Sequence, residues 1–198
     1  MNKEELISKI LENKLFYDSR GNLYCDEYSN YLSKETGLWQ FPDELADLLI
    51  FLQNQNIKSF LNIGTFNSLT FNFIADYLNT INKTECITID PIYHDRILKN
   101  EYTYLTTTSE FFVGQKFDLV FIDGDHVYDS VKKDYENVGQ YSKFCIFHDI
   151  DDDFIRNTTV CNGGVPRFWE EIKINKNYIE FNSPKKTHKV MGIGLLIN

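Results

Sequence analysis

Residues 117–136, FDLVFIDGDHVYDSVKKDYE, combine ionisable side chains with the pattern of a strand followed by a helix. A short apolar run of the kind typical of buried parallel strands is followed at once by Asp123, Asp125 and His126. Ligands of open α/β sheets bind at the carboxyl ends of the strands. An acidic turn eased by Gly124 is the simpler alternative, but three ionisable groups in four positions exceed what a turn needs. The segment is therefore a candidate site.

The elements that must position this segment follow from the alternation of strand and helix patterns after residue 57. Strands are predicted at about 58–63, 85–90, 102–105, 117–122 and 143–148, with helices at about 68–79, 93–98, 109–113 and 127–140. This alternation is typical of a parallel sheet with crossover helices. Two closing strands at about 178–182 and 189–197 would add an antiparallel hairpin. The predicted class is α/β.

The remaining segments complete the prediction. Helices are expected at 3–13, from Pro42 onward and around Trp169, and a small hairpin at 16–24. A length of 198 residues with 42% hydrophobic composition suits one domain, in which residues 1–36 are expected to form a helical and hairpin extension to a core over 37–198.

Composition narrows the possible partners. The formal charge of −9 argues against nucleic-acid binding, which usually needs a basic patch. The four cysteines contain no C-x-x-C pair, so neither a zinc knuckle nor a redox motif is indicated. The amphipathic start and the lack of a long apolar run predict a cytoplasmic protein without a membrane partner. The oligomeric state cannot be read from the sequence.

Two strand ends could hold a nucleoside. Gly64 follows the first strand of the core and would let the backbone turn tightly beside a cofactor. It is the only glycine of its loop, which disfavours a dinucleotide cofactor that needs G-x-G-x-x-G. Asp90 ends the second strand, where a carboxylate could accept hydrogen bonds from both ribose hydroxyls or could cap its own turn. The polar cluster at 106–110 could cap a helix or contact a base.

Taken together, the motifs LNIGTFNS, TIDP, TTSEFF, FDLVFIDGDHVYDSVKKDYE, CIFHDI, GVPRFWEEI and VMGIGLLI resemble those of class I S-adenosylmethionine-dependent methyltransferases. The resemblance is greatest to the type-24 methyltransferase-domain group, which is related to catechol-type O-methyltransferases, and it covers about residues 37–198. It implies a three-layer Rossmann-like sandwich with a mostly parallel seven-stranded sheet and a C-terminal antiparallel hairpin. It also implies S-adenosylmethionine as the cofactor.

The resemblance further implies roles by position. Cofactor contacts are expected from Asn62, Gly64, Thr65, Phe66, Asp90, Thr108, Ser109 and Asp123. Relatives usually carry an acid where this chain has Asn62, and an amide can accept a hydrogen bond but lacks the charge that attracts the cofactor's ammonium group. The catalytic residues expected to face the substrate are His126 and Asp149. His126 could act as general base, since histidine titrates near neutral pH, or could be a structural histidine bonded to Asp123 or Asp149.

Relatives of the catechol type use a divalent ion to lower the pKa of the acceptor hydroxyl. Asp123 and Asp149 match two expected ligands, with His148 or Asp151 in the third place. Oxygen ligands would suit Mg²⁺ or Mn²⁺, and a histidine would favour a transition metal. The alternative is that the run 149–153 is a solvated acidic loop.

The function predicted from these observations is methyl transfer to a hydroxyl of a small molecule or a saccharide. Trp39, Tyr93 and Trp169 are expected to shape the acceptor pocket with the 157–169 segment, or to pack into the core. Arg167 could bind an anionic acceptor or pair with a nearby acid. A catalytically weak or inactive cofactor-binding module is the alternative function, and no residue distinguishes an oxygen from a nitrogen acceptor.

Overall fold

The computed structural model describes residues 1–17, 25–94 and 97–198. A small parallel pair is formed by β1 (Leu15–Phe16) and β2 (Leu32–Ser33). The main sheet contains β3 (Ser59–Ile63), β4 (Glu85–Ile89), β5 (Thr103–Leu105), β6 (Leu119–Ile122), β7 (Phe144–His148), β8 (Asn177–Phe181) and β9 (Ile193–Ile197). Its order is β5-β4-β3-β6-β7-β9-β8, and only β9 runs against its neighbours β7 and β8.

Six α-helices accompany the strands in the described part of the chain. They are α1 (Lys3–Glu12), α2 (Pro42–Leu52), α3 (Leu69–Ile81), α4 (Tyr128–Asn137), α5 (Asp153–Asn157) and α6 (Gly164–Ile172). Short 3-10 helices lie at Asp26–Tyr31, Ser109–Phe112, Gly139–Tyr141 and Thr159–Cys161. Local sequence explains two of the starts: Asn2 and Glu5 form a capping box on α1, and Pro42 occupies the first turn of α2. None of the described helices has the length and apolarity needed to cross a lipid bilayer.

Alternate residues of the central strands pack into two separate cores. Phe60, Leu119 and Phe121 face the core formed with α1, α2 and α3. Leu61 and Val120 face the other core, formed with α4 and α6. Because both faces of the sheet are covered, the strands read as continuous apolar runs rather than as alternating patterns. The predicted three-layer arrangement with seven strands and a closing antiparallel pair is confirmed.

The sheet order places a switch point at β3. The chain runs from β3 to β4 and β5 on one side and returns through β6 and β7 on the other. In such sheets the crevice outside the carboxyl ends of the central strands is where ligands bind.

Two local predictions differ from the structure. The helix expected at 93–98 is wrong, since the described residues of that stretch are not helical. The carbonyl of Ile97 instead accepts hydrogen bonds from Ser68 Oγ (2.9 Å) and Asn72 Nδ2 (2.7 Å), which hold this stretch against the start of α3. The polar segment at 149–163 contains α5, capped by Asp152. The hairpin expected at 16–24 falls largely on 18–24, outside the described residues.

A buried ion pair joins α2 to the segment before β9. Glu44 accepts hydrogen bonds from the backbone N–H groups of Ser183 (2.9 Å) and Gly192 (3.1 Å), and Lys186 Nζ lies 2.7 Å from its carboxylate. The side chains of Glu44 and Lys186 are 0% and 6% exposed. Burial, opposed by Lys186, raises the pKa of Glu44. Glu44 lies in the first turn of α2, where a negative charge is favourable, and it has this tertiary role as well.

Replacing Lys186 by Met should leave the Glu44 carboxylate buried without its cation. We expect the free energy of unfolding to fall by about 3–5 kcal/mol, measured by urea denaturation, because an uncompensated buried charge is costly. The double variant Glu44→Gln/Lys186→Met should recover part of this loss. Lys189→Met is the matched control: that ammonium is 65% exposed and 4.0 Å from Asp151, so its removal should cost less than about 1 kcal/mol. Equal effects of the two lysine variants would contradict this account.

Candidate active site

The carboxyl ends of β3, β4, β6 and β7 open into a cavity of about 830 Å³, a size typical of small-molecule sites. Nearly all the residues predicted to form the site line it. These residues are Gly64, Thr65, Phe66, Asp90, Thr108, Ser109, Asp123, His126, His148 and Asp149. Asn62 is the exception. Its buried amide donates to the Gly64 carbonyl (2.8 Å) and to Thr88 Oγ1 (2.9 Å), so it fixes the glycine loop from beneath.

A chain of alternating acids and histidines lies at one end of the cavity. His148 Nδ1 is 3.2 Å from Asp123 Oδ1 and 3.3 Å from Asp149 Oδ2. Asp149 Oδ2 in turn lies 2.8 Å from His126 Nε2. The other oxygen of Asp123 accepts a hydrogen bond from Gln40 Nε2 (2.8 Å). Sequence reasoning missed Gln40, whose signal was a lone amide between two aromatic residues just before a helix.

Backbone geometry brings this chain of groups together. His148 is the last residue of β7, and Asp149 follows it in the left-handed region at φ 62°. Asp123 follows β6, and its N–H donates to the Ile63 carbonyl (2.9 Å). Gly64 turns away from β3 at φ 97°, and a Cβ there would come within 2.0 Å of the Asp123 carbonyl oxygen. The close approach of these two loops therefore requires glycine at position 64.

The two acids and two histidines shift each other's protonation. Burial opposes charge on His148, but the charges of Asp149 and Asp123 outweigh it and hold the pKa of His148 well above its usual value. Burial alone would raise the pKa of Asp149, but the charges and hydrogen bonds of His148 and His126 outweigh it and lower that pKa. Burial lowers the pKa of His126, but the hydrogen bond to Asp149 and the charges of Asp149 and Asp123 together outweigh it and raise that pKa to about 9. The ring of His126 is thus protonated at neutral pH, unlike the near-neutral base that the sequence suggested.

Asp123, His148 and Asp149 could hold a metal ion, because one ligand atom from each lies within 4.8 Å of the others. Asp151, the other predicted third ligand, does not join this group and faces Lys189 instead. The buried Nε2 of His148 has no hydrogen-bond partner within the described residues. Metal-binding histidines usually donate that second N–H to a carboxylate or carbonyl. The two carboxylates are therefore the firmer ligands, and the oxygen-rich donor set fits Mg²⁺ or Mn²⁺.

Asp90 lines the middle of the cavity and also shapes its wall. Its Oδ2 accepts hydrogen bonds from the N–H groups of Thr65 (3.0 Å) and Phe66 (3.1 Å), and its Oδ1 accepts one from Ile92 (2.9 Å). The side chain is 11% exposed. The capping role raised by the sequence is therefore present, and ribose binding stays a prediction for a residue that also lines the cavity.

The far end of the cavity contains a second acid that sequence reasoning missed. Ser109 Oγ donates to Asp134 Oδ1 (2.6 Å) and accepts from Asn137 Nδ2 (2.9 Å). Burial raises the pKa of Asp134 to about 6. The signal was available in the helix pattern, since Asp134 shares the inward face of α4 with Val131 and Tyr135.

The expected acceptor pocket is only partly correct. Trp39 lines the cavity beside the acids, stacks on Phe16 at 4.5 Å between ring centroids, and keeps its buried Nε1 without a partner among the described residues. Trp169 is fully buried in the core, because α6 packs it against Gly194, and Tyr93 is 71% exposed outside the cavity wall. Arg167 pairs with Glu171 (3.0 Å). The same end is lined by Asp152, Phe154, Ile155, Cys161 and Met191.

The acidic run at 149–153 is not the solvated loop that was raised as an alternative. Asp149 and Asp152 are 7% and 4% exposed. Asp152 caps α5 through the N–H of Ile155 (2.9 Å).

A family model described as a methyltransferase domain matches residues 61–150, which contain the glycine loop, Asp90 and the acid-histidine chain up to Asp149. The resemblance predicted from the motifs is thereby confirmed over these 90 residues, which make up slightly less than half of the chain. No curated protein sequence matches the chain.

Solved structures share the methyltransferase fold at low identity. The O-methyltransferase TomG from Streptomyces achromogenes, in complex with SAM, is 14% identical, with a TM-score of 0.56 over 100% of this chain and 98% of that one. An O-methyltransferase from Bacillus cereus, in complex with SAH, is 16% identical, with a TM-score of 0.55 over 77% and 79%. MycE, solved with Mg and SAH, is 10% identical, with a TM-score of 0.54 over 84% of this chain and 51% of that one. The N-methyltransferase NodS from Bradyrhizobium japonicum is 12% identical, with a TM-score of 0.52 over 77% of this chain and 93% of that one.

The raised pKa of Asp134 leads to a prediction about how the stability of the protein depends on pH. A folded pKa of about 6, above the ordinary value of 3.8, means that the stability contributed by protonated Asp134 is present at pH 3.8 and lost as the pH rises through 6. Asp134→Asn removes the charge, so it should stabilise the protein relative to wild type at pH 7, with the advantage shrinking towards pH 4. Urea midpoints at both pH values measure this. A pH-independent difference would contradict it. Asp129→Asn, on the exposed side of α4, is the control.

Proposed function

We propose that this protein is an S-adenosylmethionine-dependent methyltransferase that methylates a hydroxyl group of a small molecule or a saccharide. One observation carries the proposal: the glycine loop at Gly64 and the chain Asp123–His148–Asp149–His126 line the same cavity, and Gly64 lies against the backbone of Asp123. A methyl donor held by the glycine loop would therefore place its reactive carbon beside ionisable groups that could accept a proton from the methyl acceptor.

The cofactor would extend along the cavity from this point. We assign its methionine part to Gly64, Thr65 and Phe66, next to Asp123, and its ribose to Asp90. The adenine would lie at the far end beside Thr108 and Ser109. Asn62 stays behind the loop, so in this assignment it supports the cofactor's binding loop without touching the ammonium group.

The chemistry requires alignment first and proton transfer second. Methyl transfer from a sulfonium is an in-line displacement, in which positioning alone supplies much of the acceleration. His126 is the proposed proton acceptor in its neutral form: its ring lines the cavity and is held by Asp149, and because its pKa is raised to about 9, turnover should increase as the pH approaches 9. A divalent ion bound by Asp123 and Asp149, with His148 beside them, would offset the carboxylate charges and lower the pKa of the acceptor hydroxyl.

Two alternatives have specific support. A nitrogen acceptor is compatible with the same site, and NodS, which shares the fold, is an N-methyltransferase. A cofactor-binding module with little or no turnover is the other alternative, supported by the neutral Asn62 in place of an acid.

Calorimetric titration tests the cofactor assignment. Wild-type protein should bind SAH and SAM saturably and should not bind NAD, because the loop lacks the glycines that a dinucleotide needs. Asp90→Asn should weaken SAH binding at least about tenfold, since one acceptor oxygen facing the ribose becomes a donor. Asp76→Asn, at a surface carboxylate outside the cavity, is the control. Failure of wild type to bind either methyl donor or product would refute the proposed function.

Turnover tests the acid-histidine chain separately from binding. With a panel of hydroxylated and amine acceptors, His126→Asn should leave SAH affinity within about twofold and reduce SAH formation by about 10²-fold or more, the usual contribution of a general base. Chelation by EDTA should abolish turnover and Mg²⁺ or Mn²⁺ should restore it. Full activity in EDTA would remove the ion from the mechanism, and unchanged turnover of the His126 variant would remove that base.

A further inference from the structure

We infer that Gln40 is a positioning residue for the proposed methyl transfer: its buried amide holds the Asp123 carboxylate in one orientation, at the glycine loop and facing His148. This inference rests on the proposed function, because it takes the methyl donor to lie at the glycine loop. It assigns a role in turnover to a side chain that precedes residues 61–150 and does not itself line the cavity.

The backbone on either side of Gln40 is fixed by hydrogen bonds. The carbonyl of Leu38 accepts from the N–H of Phe16 (2.9 Å), which ties the segment to β1. The carbonyl of Phe41 accepts from the N–H of Glu44 (3.1 Å) in the first turn of α2. Gln40 lies between these two points and is 0% exposed, so its side chain is closely packed and has little freedom to move.

The hydrogen bonds of the Gln40 side chain leave one orientation for its amide. Gln40 Nε2 donates to Asp123 Oδ2 (2.8 Å), and Gln40 Oε1 accepts from Thr70 Oγ1 in the first turn of α3. An ionised carboxylate can only accept, whereas a hydroxyl can donate or accept. A flipped amide would set an oxygen against the Asp123 carboxylate, so the amide must offer its N–H groups to Asp123.

Gln40 holds Asp123 more firmly than the other partner does. Among the described residues, the hydrogen-bond partners of the Asp123 carboxylate are Gln40 and His148. His148 Nδ1 lies 3.2 Å from Asp123 Oδ1 and 3.3 Å from Asp149 Oδ2, and one N–H cannot be well aligned with both. Without the shorter bond from Gln40, a carboxylate that lines the cavity and is 18% exposed would be free to turn.

The orientation of Asp123 bears on the reaction because this residue joins the two parts of the site. Its backbone lies against Gly64, and its carboxylate begins the chain of acids and histidines. A turned carboxylate would therefore disturb the alignment of donor and acceptor. Gln40 itself does not line the cavity, so it should contribute little to cofactor affinity. The expected signature is a loss of turnover without a matching loss of SAH affinity.

Gln40→Met tests this inference, because methionine fills a similar volume and lacks the amide. By calorimetry, SAH affinity should stay within about threefold of wild type, whereas kcat with the acceptor panel should fall at least about tenfold. Crystal structures of the SAH complexes should show the Asp123 carboxylate displaced by about 1 Å or more. Gln53→Met is the matched control: that part-buried amide accepts a hydrogen bond from Tyr77 (3.2 Å) outside the cavity, so kcat and the position of Asp123 should not change.

Thr70 supplies a second test of the same pair of hydrogen bonds. Thr70→Val is isosteric and removes the hydroxyl that fixes the Gln40 amide, so kcat should fall, by less than in Gln40→Met. Thr70→Ser keeps a hydroxyl and should lose less than Thr70→Val. If Gln40→Met does not fold, these two variants decide the question, and equal losses of kcat in both would contradict the inference.

The outcomes separate this inference from the proposed function. It would be overturned by an unmoved Asp123 carboxylate in Gln40→Met, by a kcat within about twofold of the Gln53→Met control, or by an SAH affinity that falls as far as kcat, and the proposed function would stand. Absence of SAH binding by wild type would overturn both. If wild type binds SAH but methylates no acceptor of the panel, the position of Asp123 in the two structures decides the inference alone.

Discussion

The contact between Gly64 and the backbone of Asp123 is the constraint on which the site depends. It joins the loop after β3 to the loop after β6, and any side chain at position 64 would collide with a carbonyl oxygen. The hydrogen bond from the Asp123 N–H to the Ile63 carbonyl fixes the same junction. The part of the cavity suited to the donor's sulfur is therefore held at a set distance from the acids and histidines. Methyl transfer depends on alignment, so rigidity at this junction has direct chemical value.

Two buried polar side chains extend this rigidity along the cavity wall. Asn62 donates hydrogen bonds to the Gly64 carbonyl and to Thr88 on the neighbouring strand. Asp90 accepts hydrogen bonds from the N–H groups of Thr65 and Phe66 in the loop. Each satisfies backbone groups that would otherwise be buried without partners. Because Asp90 also lines the cavity, the shape of the loop and the proposed contact with a ribose would depend on the same side chain.

Much of the fold could be predicted from sequence because its strands are short apolar runs separated by helices, and because the ends of β3, β4 and β6 carry recognisable polar residues. The failures have a common physical cause. The stretch at 93–98 has helix-like spacing, yet its described residues are not helical, and Ile97 accepts hydrogen bonds from Ser68 and Asn72. Gln40 and Asp134 enter the site through tertiary contacts with residues far along the chain. Trp169 was one of the residues considered for the acceptor pocket. Its indole instead packs on Gly194 of β9, where the absence of a side chain makes room for the ring.

Segments outside residues 61–150 complete the half of the cavity assigned to the acceptor. The groups assigned to the donor lie within residues 61–150, the same stretch that the family shares. Trp39 precedes that stretch, and Cys161 and Met191 follow it, and all three line the other half of the cavity. Sequence divergence in these flanking segments could change which molecule is modified without changing how the methyl donor is bound. Two proteins with nearly the same central sequence could then act in unrelated pathways, and comparison of the flanks would be the better guide to the acceptor.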